Sequence, residues 1–244
     1  MYQNKTIVLT GGTKGIGLEL CKLLYPSNKL LVIASNENNL NLLKNAFPNI
    51  VTLQCDLSQR KDIEHCVDQL ESLESIDMLI NNAAVQYYPD FLSDDFEFEG
   101  IRREISINFT AVCELTYLLL PKLVASKKAP LILNISSGLA LAPKKSSAVY
   151  CATKAAITSF TRSLRYQLRG HGVDVYQAFP PLTNTQMTKK RLTQTQLSSP
   201  SDVALKILKG LESRHMDIYI GSINALRLIA WVAPWLARKI MSKN

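Results

Sequence analysis

The sequence is poor in the residues that hold metals or staple small secreted domains. Its 244 residues include three scattered histidines, too far apart for an ordinary metal-ligand cluster, and no metal site is expected. The five cysteines (Cys21, Cys55, Cys66, Cys113, Cys151) contain no C-x-x-C pair and are odd in number. That argues against a disulfide framework and fits free thiols in a reducing compartment. The apolar run "LIAWVAPWLA" (228–237) is ten residues long, far short of the ~20 that a membrane-spanning helix needs. Met1 leads into "KTIVLTGG" within a few residues, which leaves no room for a signal peptide and makes a cytoplasmic protein the expectation. There is no linker, low-complexity tract or repeat of fixed period.

What is present reads as globular: 47% hydrophobic and 20% charged residues. The formal net charge of +8 could serve a nucleic acid, a membrane surface or an anionic small ligand. A nucleic-acid module concentrates its basic residues on one element with aromatics interleaved. Here the largest clusters are Lys189-Lys190-Arg191 and Arg238-Lys239, so no nucleic-acid partner is expected.

Short apolar runs alternate with helical stretches along the whole chain. Strands are expected at 6–10, 30–35, 50–55, 76–81, 131–136, 173–179 and 216–221. They are apolar on both faces, as in a parallel sheet covered by helices on both sides. In "SSPSDVALKILKGL", Ser199 reads as an N-cap, Pro200 as the first helical residue and Asp202 as its first-turn acid. The fold class is α/β: a Rossmann-like doubly wound parallel sheet in a single domain over residues 1–244.

The first strand ends in "TGGTKGIG" (10–17). A Gly-rich turn between a buried strand and a helix offers backbone N–H groups and the helix dipole to a phosphate. Gly11 tightens the turn, Gly15 admits a pyrophosphate and Gly17 allows close helix–strand packing. Farther on, "VYCATKAA" places Tyr150 and Lys154 one helical turn apart on one face. Such pairs occur by chance in many helices, so their meaning rests on their surroundings. A tyrosine with pKa ~10 shuttles protons poorly at neutral pH, and a lysine cation beside it favours tyrosinate and lowers that pKa.

Taken in order, the motifs resemble the short-chain dehydrogenase/reductase family in its single-domain, Tyr-x-x-x-Lys form, up to about residue 222. "TGGTKGIG" is similar to the family's cofactor turn, "CDLS" to its adenine-side element, "NNAA" to its N-N-A-G, and "INFTA", "LNISSG" and "YCATK" to its catalytic segments. The resemblance implies a catalytic set of Asn108, Ser137, Tyr150 and Lys154. Ser137 is selected over the fallback Ser136 by the family's thirteen-residue interval before the tyrosine. Ser137 would hydrogen-bond the substrate oxygen, Lys154 would also hold the nicotinamide ribose, and Asn108 would hold a water leading to solvent. Cofactor contacts are implied for Gly11, Thr13, Lys14, Gly15, Ile16, Gly17, Ser35, Asn36, Asp56, Leu57, Asn82, Ala83, Tyr150, Lys154, Pro180 and Thr185. The implied reaction moves a hydride between nicotinamide and a carbonyl or secondary alcohol, with Tyr150 as general acid/base.

The departures from the pattern carry their own information. Ala84 replaces the family's glycine, and Pro180-Pro181 replaces its Pro-Gly, so this loop must be stiffer and bonded differently. "PPLTNT" resembles one branch, oxidoreductases encoded with lipoteichoic acid D-alanylation genes. NAD-preferring members end the second strand with an acid that repels a 2′-phosphate. This chain has Ala34-Ser35-Asn36 there and a basic Lys14 in the turn, while Ser35 stands where relatives often carry arginine. Charge placement favours NADP(H), with NAD(H) as the alternative.

The remaining segments set substrate and partners. Residues of about 182–200 and 223–244 are read as substrate lid and apolar tail. Trp231 and Trp235 share a helical face flanked by Arg227 and Arg238-Lys239. One reading makes the tail a lid or subunit contact, and this is the expectation; the other makes it an interfacial membrane anchor. Either suits a hydrophobic substrate. The resemblance implies a homodimer or homotetramer through long helices of about 100–122 and 150–169. A redox-silent NADP-binding regulator or a peripheral membrane scaffold on the same fold is the alternative function.

Overall fold

Seven stretches that are apolar at successive positions form strands in the computed structural model, which describes residues 2–87, 91–92, 97–189 and 197–242. They are β1 (Thr6–Thr10), β2 (Lys29–Ala34), β3 (Val51–Gln54), β4 (Met78–Asn81), β5 (Leu131–Ile135), β6 (Asp174–Phe179) and β7 (Asp217–Tyr219). All pair in parallel, in the order β3-β2-β1-β4-β5-β6-β7. The strand expected from residue 76 begins at Met78, because Ile76 donates its N–H to Lys122 O (3.0 Å) and so lies outside the ladder.

The helices are α1 (Gly15–Leu24), α2 (Glu37–Ala46), α3 (Arg60–Asp68), α4 (Phe98–Ile105), α5 (Ala111–Ala125), α6 (Ala148–Gln167), α7 (Gln186–Lys189), α8 (Pro200–Glu212), α9 (Ile223–Val232) and α10 (Pro234–Ser242). A π-helical turn, Ser106–Thr110, joins α4 to α5. Local signals account for several helix starts. Asn36 caps α2 by accepting from Asn39 N at 2.9 Å. Pro200 opens α8 after Ser199 as expected, but the Ser199 hydroxyl pairs with Ser201 (2.6 Å) and makes no cap bond. Preset proline φ and the first-turn Asp202 begin that helix.

Alternation within each strand feeds two cores. Ile7, Leu9, Leu30 and Val32 pack on one face with Leu20 and Leu24 of α1 and Ile207 and Leu211 of α8. Val8, Leu31 and Ile33 pack on the other with Ile63 of α3, Leu115 and Leu119 of α5 and Leu164 of α6. Both faces are therefore buried, which is why the strands read as continuous apolar runs. Between β1 and β4 the strand order reverses direction, opening a crevice at the carboxyl ends of the strands, where doubly wound sheets bind ligands.

Candidate active site

At the carboxyl end of β1 the chain turns through Gly11, whose φ of +70° suits glycine. A Cβ there would lie 2.8 Å from Ala83 Cα. At Gly17 a Cβ would lie 2.2 Å from Gly11 O, so this glycine lets the turn fold against itself. The neighbouring loop locks the turn. Thr10 Oγ1 accepts from the N–H groups of Asn82 and Ala83 (both 3.0 Å), and Asn82 Nδ2 donates to Thr10 O and Gly11 O (3.0 and 3.1 Å). A turn with glycines at 11, 15 and 17, at the N-terminus of α1, fits a pyrophosphate.

This turn forms one end of a cleft of about 1030 Å³, lined by Gly11, Thr13, Lys14, Gly15, Ile16 and Gly17. Ser35, Asn36, Asp56, Leu57, Asn82 and Ala83 continue the lining, followed by Ser137, Tyr150, Lys154, Pro180 and Thr185. Thus every residue expected to touch cofactor or substrate faces one cavity. Asn108 alone among the expected residues does not line it.

Lys154 and Tyr150 project from α6 on the same buried stripe. Lys154 Nζ lies 5.6 Å from the centroid of the Tyr150 ring and donates to Ile135 O at 2.9 Å. Burial disfavours its charge and brings its pKa down to about 8. Ser137 caps a short 3-10 turn by accepting from Leu139 N (3.1 Å) and faces the cleft. The Ser136 hydroxyl is engaged elsewhere, with Lys154 O (3.2 Å) and Thr158 Oγ1 (3.1 Å). Both serines line the cleft, and they differ in that the Ser136 hydroxyl is bonded to α6 whereas the Ser137 oxygen accepts from the turn it caps.

Asn108 sits in the π turn, 1% exposed. Its side chain clamps the loop after β4: Oδ1 accepts from Val85 N and Nδ2 donates to Val85 O (both 2.8 Å), with Thr153 Oγ1 at 3.3 Å. One turn earlier Glu104, fully buried, accepts from Tyr87 N at 2.6 Å. Burial pushes its carboxyl up to about 7, against the pull of the Tyr87 N–H. Asn108 and Glu104 together peg the loop whose Val85 and Gln86 line the cleft. The sequence pointed to Asn108 but not to Glu104, whose function depends on where a distant loop folds back.

At the far end, Asp56 binds Ser58 N and Oγ (3.0 and 2.8 Å) and the guanidinium of Arg103 (2.9 Å). Burial pushes the Asp56 carboxyl up, but these donors outweigh it and hold the pKa below the ordinary value. Arg103 lines the cleft and was not foreseen. Ser35 and Asn36 lie nearby with Lys14, and Glu37 is not among the lining residues. Across the cleft, Pro180 O accepts from Gly138 N (3.3 Å), and Thr188 Oγ1 ties the next loop by donating to Thr183 O (2.6 Å) and accepting from Thr185 N (3.0 Å). These bonds stiffen the double-proline loop. Of the expected lid, residues 190–196, Lys190 and Arg191 among them, lie outside the described residues, as does the side chain of Lys189.

Residues 5–196 match the family model described as short chain dehydrogenase. The chain belongs to the short-chain dehydrogenase family. It is thereby an NAD(P)-binding oxidoreductase acting on CH–OH and C=O groups. Among curated members, the uncharacterized oxidoreductase DltE of Bacillus subtilis is 36% identical over 92% of this chain and 91% of that protein. This agrees with the branch that "PPLTNT" resembled. Human very-long-chain 3-oxoacyl-CoA reductase is 29% identical over 96% of this chain and 77% of that protein. A short-chain dehydrogenase from Sphingobium yanoikuyae, solved with NADPH, superposes with a TM-score of 0.82 at 25% identity, covering 95% of this chain and 94% of that one.

Proposed function

We propose that this short-chain dehydrogenase is an NADP(H)-dependent reductase that interconverts a carbonyl and a secondary alcohol on a hydrophobic substrate. The observation that carries this reading is the Tyr150–Lys154 pair on α6, facing the same cleft as the glycine turn. A bound nicotinamide supplies the hydride. Tyr150 gives its proton to the carbonyl oxygen as the carbon accepts that hydride, and the Lys154 cation stabilises the tyrosinate that remains. Ser137 accepts a bond through its oxygen, which keeps its O–H to donate to the substrate oxygen and stabilise developing charge. Asn108 and Glu104 act one step removed, by positioning the loop opposite.

Several features support the finer points. Lys14 beside Ser35 and Asn36, without an acid at the end of β2, favours a 2′-phosphate; NAD(H) is the competing cofactor. The substrate end is lined by Leu139, Leu182, Met187, Ile223, Leu226 and Met241, an apolar wall of lid and tail. Relatives named for 3-oxoacyl reduction make 3-oxoacyl thioesters the first substrates to try. Exposed Tyr117 and Tyr166 on α5 and α6 fit a homodimer or homotetramer through those helices, and the free cysteines fit a cytoplasmic location. The test is NADPH consumption by purified protein with 3-oxoacyl thioesters and activated diketones. Turnover that Tyr150→Phe abolishes is expected. NADPH binding with no turnover on any of them would instead favour the redox-silent regulator.

A further inference from the structure

The two C-terminal helices have two unlike faces. Inward, Ile223 is 6% exposed and seats on the loop beside Ser137: a Cβ added at Gly138 would lie 2.3 Å from its Cδ1. Leu226 and Met241 line the cleft. Outward, Leu228, Trp231, Val232 and Trp235 are 60%, 82%, 65% and 65% exposed. Spacing of three and four puts Leu228, Trp231 and Val232 on one face of α9. Trp235, expected on the same helical face as Trp231, instead stands in the first turn of α10, because the helix breaks at Ala233 (φ −135°) before Pro234. Single exposed apolar residues are ordinary, but four large apolar side chains exposed within residues 228–235, two of them indoles, mark an interaction surface.

We propose that this outer face docks on an anionic lipid bilayer. Its charge chooses the occupant. The segment from Ile223 to Asn244 contains no Asp or Glu, and Arg238 and Lys239 are exposed on α10 one turn on from Trp235. Arg227 is tied to the fold over the Tyr219 ring at 4.6 Å. A second copy of this chain, net charge +8, would bring like charges together on such a face. An anionic surface is attracted by them, and indole rings settle at headgroup depth with their N–H groups hydrated. The helices are too short to span the bilayer, so the protein lies on it. This inference does not depend on the redox reading above.

The chain's two tryptophans are both exposed in this segment, so tryptophan emission, excited at a wavelength that spares the nine tyrosines, reports on it alone. The probes are vesicles of phosphatidylglycerol mixed with phosphatidylcholine, and vesicles of phosphatidylcholine alone. The protein should float with the anionic vesicles at low salt and its emission should shift to the blue; added salt should weaken both. Arg238→Glu with Lys239→Glu should weaken binding at least about tenfold while leaving the circular dichroism unchanged. Leu228→Ser with Val232→Ser should weaken it too. Absence of flotation and blue shift with anionic vesicles would overturn the proposal. So would a dimeric native mass that the Leu228/Val232 variant converts to monomer without any vesicle binding.

Discussion

The two walls of the cleft are built on opposite principles. The wall made by β1, β4 and α4–α6 is held by directional bonds: the lining residues Asn82 and Lys154, and Thr10 and Asn108 behind them, each have specific partners within about 3.3 Å. The wall made by the lid loop and tail sets Leu182, Met187, Ile223, Leu226 and Met241 among bonded threonines, and its methionines fill space without fixing direction. Chemistry shared by many substrates needs atoms held to a few tenths of an ångström, which directional bonds supply. Substrate choice needs only a shape, which adaptable side chains supply. Changes on the first wall should therefore act on turnover, and changes on the second on substrate binding.

The largest expected effect lies on the first wall. Tyr150→Phe keeps the ring and removes the proton, so turnover should fall by at least ~10²-fold in steady-state assays. NADPH binding, measured by fluorescence titration, should hardly move. Wild-type turnover in that variant would erase the distinction between the walls.

Next comes Lys14. If it pairs with a 2′-phosphate, Lys14→Ala should weaken NADPH binding by ~1.5–3 kcal/mol and NADH binding hardly at all. Equal losses would reduce Lys14 to a shaper of the turn. On the second wall, Leu226→Ala should raise KM for long-chain substrates, by roughly 1–3 kcal/mol of lost contact, with little change in kcat for short ones. A fall in kcat for every substrate would show that the tail serves the chemistry itself.

The smaller effects concern pH and the buried titrating groups. Lys154 has a folded pKa of about 8, lowered from 10.5, so below pH ~8 its buried charge costs stability and the cost fades as pH rises toward the unfolded value. Lys154→Met should therefore be inactive yet melt higher than wild type near pH 7, with the gap closing toward pH ~10. Glu104 has the reverse sign. Its carboxyl is raised from 4.5 to about 7, so its contribution is fully present below the unfolded value and is lost as pH rises through about 7. Thermal melts of Glu104→Gln should gain on wild type between pH ~5 and ~8.

Legibility in the sequence followed the same division. The sheet, the glycine turn and the Tyr150–Lys154 face rest on local periodicity and short motifs, so they were visible without coordinates. Spacing chose Ser137 over Ser136; in the structure both line the cleft, and the Ser136 hydroxyl bonds to Lys154 O and Thr158. Glu104, Arg103 and Thr188 were not visible, because each acts through a loop or side chain that only folding brings near. The clamp by Asn108 was hidden for the same reason: its partners Val85 and Thr153 lie 23 and 45 residues away. In the tail, hydropathy showed an apolar segment but could not say which face turned inward. Packing of Ile223 against Gly138 decides that.

The most direct test of the central claim follows the hydrogen itself. NADPH carrying deuterium at both C4 positions of its nicotinamide is incubated with the protein and a 3-oxoacyl thioester or diketone, and the product is analysed by mass spectrometry. Deuterium on the new carbinol carbon, with its transfer lost in Tyr150→Phe, is the predicted result. Tight NADPH binding with no label transferred to any substrate by the wild-type protein would contradict it.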